Sequence, residues 1–181
     1  WRMSTQPYPG SHYATFPTEL PRRLIASMCP AEVCATCGLP RRRIVASQVW
    51  RSRVRNNGIG ISSQYTVHLI ESEVSNNRGE GIVAKSVQVE RSIVSGNGAA
   101  GIELKRYNRG PNTIKQSDLT SNARAAVIVG NDADVIATDN WWGTTDPNDV
   151  ASMVWDYHDD PRVGKVVLSG LRSAAPPPPG L

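Results

Sequence analysis

Ser72-Glu-Val-Ser-Asn-Asn-Arg-Gly-Glu-Gly-Ile82 is answered twenty residues on by Ser92-Ile-Val-Ser-Gly-Asn-Gly-Ala-Ala-Gly-Ile102. Laying one over the other puts Ser92 on Ser72, Val94 on Val74, Asn97 on Asn77 and Ile102 on Ile82. The same phase runs upstream through Ser52, Val54, Asn57 and Ile61, and downstream through Ser117, Leu119, Asn122 and Val127. The four asparagines are separated by 20, 20 and 25 residues. Self-similarity at a period of twenty-odd residues marks a solenoid, whose working surface is a long lateral face.

Each repeat holds short apolar stretches that alternate with period two, such as Val67-His-Leu69 and its equivalent Val87-Gln-Val89. β-Branched residues dominate the inward positions, as strands prefer. Asn-Asn-Arg-Gly-Glu-Gly and Gly-Asn-Gly-Ala-Ala-Gly lie between them and are expected to supply positive φ at the corners. Three strands and their corners make one coil, and successive coils stack as parallel sheets. Asn57, Asn77, Asn97 and Asn122 then fall on one corner. There each amide can bond its equivalent in the next coil, an architectural ladder that satisfies buried polar groups. A leucine-rich repeat has a similar period but needs leucines where this chain has Val and Ile. Antiparallel hairpins would use Asn57-Gly58 and Asn97-Gly98 but would not keep serine, valine, asparagine and isoleucine in phase. The five extra residues of the last step, Tyr107-Asn-Arg-Gly-Pro111, are expected to bulge from one corner.

The 181 residues carry a formal net charge of +4. All of it sits in residues 1–46, as Arg2, Arg22, Arg23, Arg41, Arg42 and Arg43 against Glu19 and Glu32. A basic head on a neutral body reads either as a solvated segment or as a nucleic-acid contact. The three cysteines, Cys29, Cys34 and Cys37, are also in the head. An odd, tight cluster is a poor disulfide framework. Cys34-Ala-Thr-Cys37 looks like half a zinc knuckle, but no second Cys/His pair follows it to complete four ligands. No apolar run approaches the length of a membrane span. The chain begins with Trp1, its coils begin abruptly near Val49, and Pro176–Pro179 reads as the start of a linker. It is therefore expected to be a piece of a longer parent with further domains. The expected organisation is a head of 1–46 that does not fold by itself, a solenoid of 47–170 and a Pro-rich tail of 171–181.

These residues resemble the right-handed parallel β-helix, or pectate-lyase-like, family over about 48–170. The tail strengthens the likeness: Asp139-Asn140-Trp141-Trp142-Gly143-Thr144, then Met153-Val-Trp155-Asp156, then Asp159-Asp160-Pro161-x-x-Gly164-x-Val166. The resemblance implies an all-β, single-stranded right-handed β-helix of about four to five coils. It also implies a secreted or surface location in a bacterium, with polysaccharide or a cell-surface glycan as partner. A solenoid end must be capped. Asn140, Trp141, Trp142, Gly143 and Trp155, with an amphipathic helix over Asp146–Trp155, are expected to form that plug. Trp141 and Trp142 as a sugar-stacking platform is the alternative. Residues 1–45 resemble something else. His12-Tyr-Ala-Thr-Phe16-Pro17 and Cys29-Pro-x-x-Val-Cys34-x-x-Cys37-Gly-x-Pro40 are similar to part of the bacterial and phage DNA methyltransferases acting on adenine N6 or cytosine N4. The Asp-Pro-Pro-Tyr-type catalytic loop and the Asp-Pro-Phe-x-Gly-x-Gly cofactor loop of that family are absent, so the head is read as a remnant without activity.

β-Helix lyases abstract a proton with Arg or Lys beside calcium held by Asp. The candidates here are Glu71, Glu73, Glu90 and Glu103 with Lys85, Lys105 and Arg106. Stacking sets Glu71 beside Arg91, which reads equally as a cross-coil salt bridge. Asp132, Asp134 and Asp139 are the calcium candidates, although aspartates are common in loops before strands. No cofactor is expected, zinc at the cysteines and calcium at these aspartates being the alternatives. The expected function is a glycan-binding or spacer module. A lyase or hydrolase on the same scaffold is the second reading, and a methyltransferase fragment fused to a solenoid the third.

Overall fold

The computed structural model describes residues 48–106 and 110–180, all within the second of two compact units, Ile44–Leu181. The head of 1–46, with Cys29, Cys34 and Cys37, and residues 107–109 of the inserted loop lie outside the described residues.

Three full coils open the described part of the solenoid. They are β1 (Gln48–Trp50), β2 (Arg53–Arg55), β3 (Ile61–Ser62); β4 (Thr66–Ile70), β5 (Glu73–Ser75), β6 (Ile82–Ala84); and β7 (Ser86–Glu90), β8 (Ile93–Ser95), β9 (Ala100–Leu104). In the next two coils the middle strand shrinks to single bridges at Asp118 and Trp141. These coils keep β10 (Asn112–Lys115), β11 (Ala125–Val129), β12 (Val135–Asn140) and β13 (Val154–Trp155), and β14 (Val166–Leu171) begins one more. The strands stack into three parallel sheets among the described residues: β1-β4-β7-β10-β12-β14, β13-β11-β9-β6-β3 and β2-β5-β8.

Like residues lie over like. Val54, Val74, Val94 and Leu119 form one column, and Ile61, Ile82, Ile102 and Val127 another. Val49, Leu69, Val89, Ile114 and Ala137 form a third, and all of these residues are buried. Burying each such side chain contributes roughly 1.5–3 kcal/mol, so the columns are the main source of cohesion.

The corners differ from expectation in one respect. Positive φ falls mostly on residues other than glycine: Arg51, Glu71, Arg91, Gln116 and Asp139 at the first corner, Asn56, Asn76 and Ser121 at the second. Within the two quoted corner segments only Asn76 and Gly96 have it. The other glycines serve close approach instead. A Cβ on Gly81 would stand 2.6 Å from the carbonyl oxygen of Gly101 and 2.7 Å from the Asn97 amide. One on Gly101 would stand 2.6 Å from the Asn122 amide. The bare backbone lets successive coils close over the asparagines.

The helix is also shorter than the sequence pattern suggests. α1 spans Pro147–Ser152. Asp146 caps it by accepting from the Asn148 amide at 2.8 Å, and Pro147 sits where a missing N–H costs nothing. It ends at Met153 because Val154 and Trp155 are taken into β13, in register with Val127 and Ile128. Trp155 is thus a strand residue. Trp142 and Val150 are buried in the core beneath the end of the column.

Candidate functional site: the long sheet and its first corner

Along β1, β4, β7, β10, β12 and β14, alternate residues face outward in straight rows. One row is Gln48, His68, Gln88, Thr113, Ile136 and Val167. The next is Trp50, Ile70, Glu90, Lys115, Thr138 and Ser169. The side chains of Gln48, His68, Gln88 and Thr113 make no hydrogen bond among the described residues, whereas Trp50 stands 60% exposed with the Arg51 guanidinium 5.1 Å from its ring centre.

At the corner beside this face, Arg51, Glu71 and Arg91 stack in successive coils. Arg51 Nε lies 2.8 Å from Glu71 Oε2, and Arg91 Nη2 lies 3.2 Å from Glu71 Oε1. Arg91 also pairs with Glu90, and Arg53 with Glu73 at 3.4 Å. The Arg51 guanidinium holds the Glu71 carboxyl below its ordinary value against a smaller opposing push from desolvation, and Arg91 adds to the effect. A carboxyl held ionised in this way is a poor proton donor. Glu71, Glu73 and Glu90 are therefore engaged by arginines. Glu103 is on a different sheet, in the outward row with Val83 and Ile128. The four glutamates do not converge.

The proposed calcium aspartates are likewise spread out. Asp134 precedes β12 and accepts from the Lys165 amide at 2.8 Å, whereas Asp139 lies near the far end of that strand. Five residues of strand separate them by about 16 Å. No group of three or more His, Cys, Asp or Glu side chains comes together among the described residues.

The asparagines do stack. Asn77 Oδ1 accepts from the Asn57 amide N–H at 3.0 Å, Asn97 Oδ1 from Asn77 at 3.2 Å and Asn122 Oδ1 from Asn97 at 3.2 Å. Their side-chain amides donate back across the coils to the carbonyls of Val54, Val74 and Val94.

Three further devices escaped the sequence reading. At the first corner, Ser72 Oγ accepts from the Ser52 amide, Ser92 Oγ from Ser72, Ser117 Oγ from Ser92, and Asn140 Oδ1 from Ser117, at 2.9–3.1 Å. Asn140 is thus the last rung of a second ladder, and the phase of the serines was its visible signal. At the third corner, Asn131 donates to the carbonyls of both Lys85 and Lys105, stapling coils without a periodic partner. Asn112 replaces valine in an inward column and accepts from the Val87 amide at 3.1 Å.

The C-terminal aspartates also turn out to be structural. Buried Asp156 accepts from the Val166 amide at 2.7 Å, from the His158 amide at 3.0 Å and lies 3.0 Å from His158 Nδ1. Burial pushes its carboxyl up, but these bonds outweigh it and hold the group below its ordinary value. Asp160 is pulled down to about 2 by Arg162. Trp142 is closed to solvent and Trp141 half-buried, which leaves no tryptophan platform there for a sugar. No helix among the described residues is long and apolar enough to cross a membrane.

A family model described as a right handed beta helix region matches residues 34–141. It begins within the basic head and takes in Cys34 and Cys37. No curated protein and no solved structure matches the chain, and the methyltransferase likeness of residues 1–45 finds no counterpart in these comparisons.

Proposed function

The chain belongs to the right-handed β-helix family, and from that premise we propose that it is a non-catalytic module that binds an extended polysaccharide along its six-stranded sheet. One observation carries the reading: Gln48, His68, Gln88 and Thr113 form a straight row of polar side chains with no hydrogen-bond partner among the described residues. Strands repeat every 4.7–4.9 Å, which is close to the advance per sugar of an extended glycan. Amide, imidazole and hydroxyl groups both donate and accept, which suits ring hydroxyls. Exposed Trp50 offers an apolar face at one end of the sheet. The engagement of Glu71, Glu73 and Glu90 by arginines favours binding over hydrolysis or elimination on this surface. The reading takes the module to be extracellular or at a bacterial surface, where such polymers occur.

Affinity electrophoresis in gels cast with polygalacturonate, alginate or a neutral β-1,4-glucan tests it. Retarded migration is expected in at least one gel, with no products formed. His68→Ala combined with Gln88→Ala should abolish the retardation while leaving the melting curve in place. Unchanged mobility in every gel would make the module a spacer. Release of unsaturated uronides or new reducing ends would make it an enzyme.

A further inference from the structure

The first corner changes character half-way along. Arg51 and Arg91 both pair with Glu71, which lies between them, across three coils. The next two corner residues, Gln116 and Asp139, occupy equivalent places with the same backbone conformation, φ 51° and 52°. Their side chains make no hydrogen bond or ion pair among the described residues. The corner after them is Gly170, φ 67°, which has no side chain to set over Asp139. The line of side chains therefore stops, and Asp139 Oδ1 stands where a Cβ on Gly170 would fall.

Asp139 lines a groove of about 390 Å3, together with Gln116, Leu171, Arg172, Ser173 and Ala174. Arg172 is fixed at its rim by its backbone N–H, which donates to the Asn140 carbonyl at 3.0 Å. Its guanidinium is also without a partner among the described residues. A carboxylate, a guanidinium and a carboxamide thus face one groove, unengaged among the described residues, whereas Arg51, Glu71 and Arg91 lower on the same corner are paired.

We propose that this groove is a saccharide subsite that holds one neutral sugar unit. The inference rests on the glycan-binding reading above and gives it an end point at the C-terminal coil. The two oxygens of Asp139 can accept from vicinal hydroxyls, a pattern that a carboxylate satisfies well. Arg172 donates to a hydroxyl or ring oxygen, and Gln116 can donate or accept. Half-buried Leu171 gives the C–H face of the ring an apolar contact. One positive and one negative group leave the groove neutral, and Asp139 repels a uronate carboxylate. The volume falls within the range of small-molecule sites.

The test is saturation-transfer NMR and calorimetry of the 181-residue chain with tetramers of β-1,4-linked glucose, mannose, xylose and galacturonate. At least one neutral tetramer is expected to bind, and galacturonate more weakly. Asp139→Ala and Arg172→Ala should each weaken that binding by about tenfold or more, the scale of a lost charge-assisted hydrogen bond. Glu71→Gln should leave it unchanged. Failure of every neutral tetramer to bind, or full affinity in both groove variants, overturns the subsite. The two readings fail separately. Polymer retardation that survives Asp139→Ala but not the His68/Gln88 pair removes the groove and keeps the face. Tetramer binding lost in Asp139→Ala, with polymer retardation indifferent to His68 and Gln88, keeps the groove and removes the face.

Discussion

Two lines of side chains climb the first corner one residue apart. The outer line is Arg51, Glu71, Arg91, Gln116 and Asp139, and the inner line is Ser52, Ser72, Ser92, Ser117 and Asn140. The inner line bonds at every rung, because from Ser72 onward each member is buried and an unpaired polar group there is costly. The outer line pairs only over its first three members, then opens. Water can satisfy an exposed side chain, so nothing in folding obliges Gln116 or Asp139 to find a partner. Burial, more than periodicity, decides which repeats the fold depends on. The outer line is where the chain is free to meet something else.

The largest effect should come from the top of the inner line. Asn140 accepts from the Ser117 amide and donates to the Ile114 carbonyl at 2.7 Å. Asn140→Ala strips two buried backbone groups of partners and is expected to cost about 3 kcal/mol in urea unfolding. The same truncation at its neighbour Asp139, on the outer line, should leave the unfolding curve in place. Equal losses at the two positions would erase the distinction between the lines.

Asp156 tests the distinction from another side, since it is a carboxylate buried like an inner-line residue. Its folded pKa is depressed, so its stabilisation is fully present above the unfolded value, about 3.9, and is lost as pH falls through the folded one. Wild type and Asp156→Asn should therefore differ most near neutrality, and the gap should narrow as unfolding is repeated towards pH 3. Asp160 slopes the same way, but it is paired on the surface with Arg162, and added salt should shrink its share. A gap that stays constant with pH would show that the Asp156 contribution does not depend on its charge.

Much of this was legible in the chain. The common phase of Val74 and Val94, of Asn77 and Asn97 and of Ile82 and Ile102 fixes strands, corners and parallel stacking together, because only in-register coils superpose all three. Glu71 beside Arg91 follows from the same arithmetic. The serine ladder was visible as a repeat but not as a bond, since serine is equally common on wet surfaces. Asn131 and Asn112 have no periodic mates, so pattern alone does not single them out. The groove joins Asp139 to Leu171 and Arg172, more than 30 residues on, after a helix and a loop have broken the period. The end of α1 was missed for a related reason. Helical amphipathicity through Val154 competes with a vacant sheet edge, and the edge wins by pairing Val154 with Val127.

The smallest effect is expected at the ion pairs of the outer line. Glu71 touches two arginines and sits at the centre of the outer line. Yet both partners are about half exposed, at 58% and 47% of their side-chain surface, so water and salt screen what the pairs contribute. Glu71→Gln should leave thermal unfolding unresolved from wild type at physiological salt. In very dilute buffer the variant should melt slightly earlier, because the screening is gone and Arg51 and Arg91 then face each other across a neutral amide. A clear loss of stability that persists in high salt would mean that Glu71 belongs with the inner line. The corner would then be held by charge as much as by the buried serines.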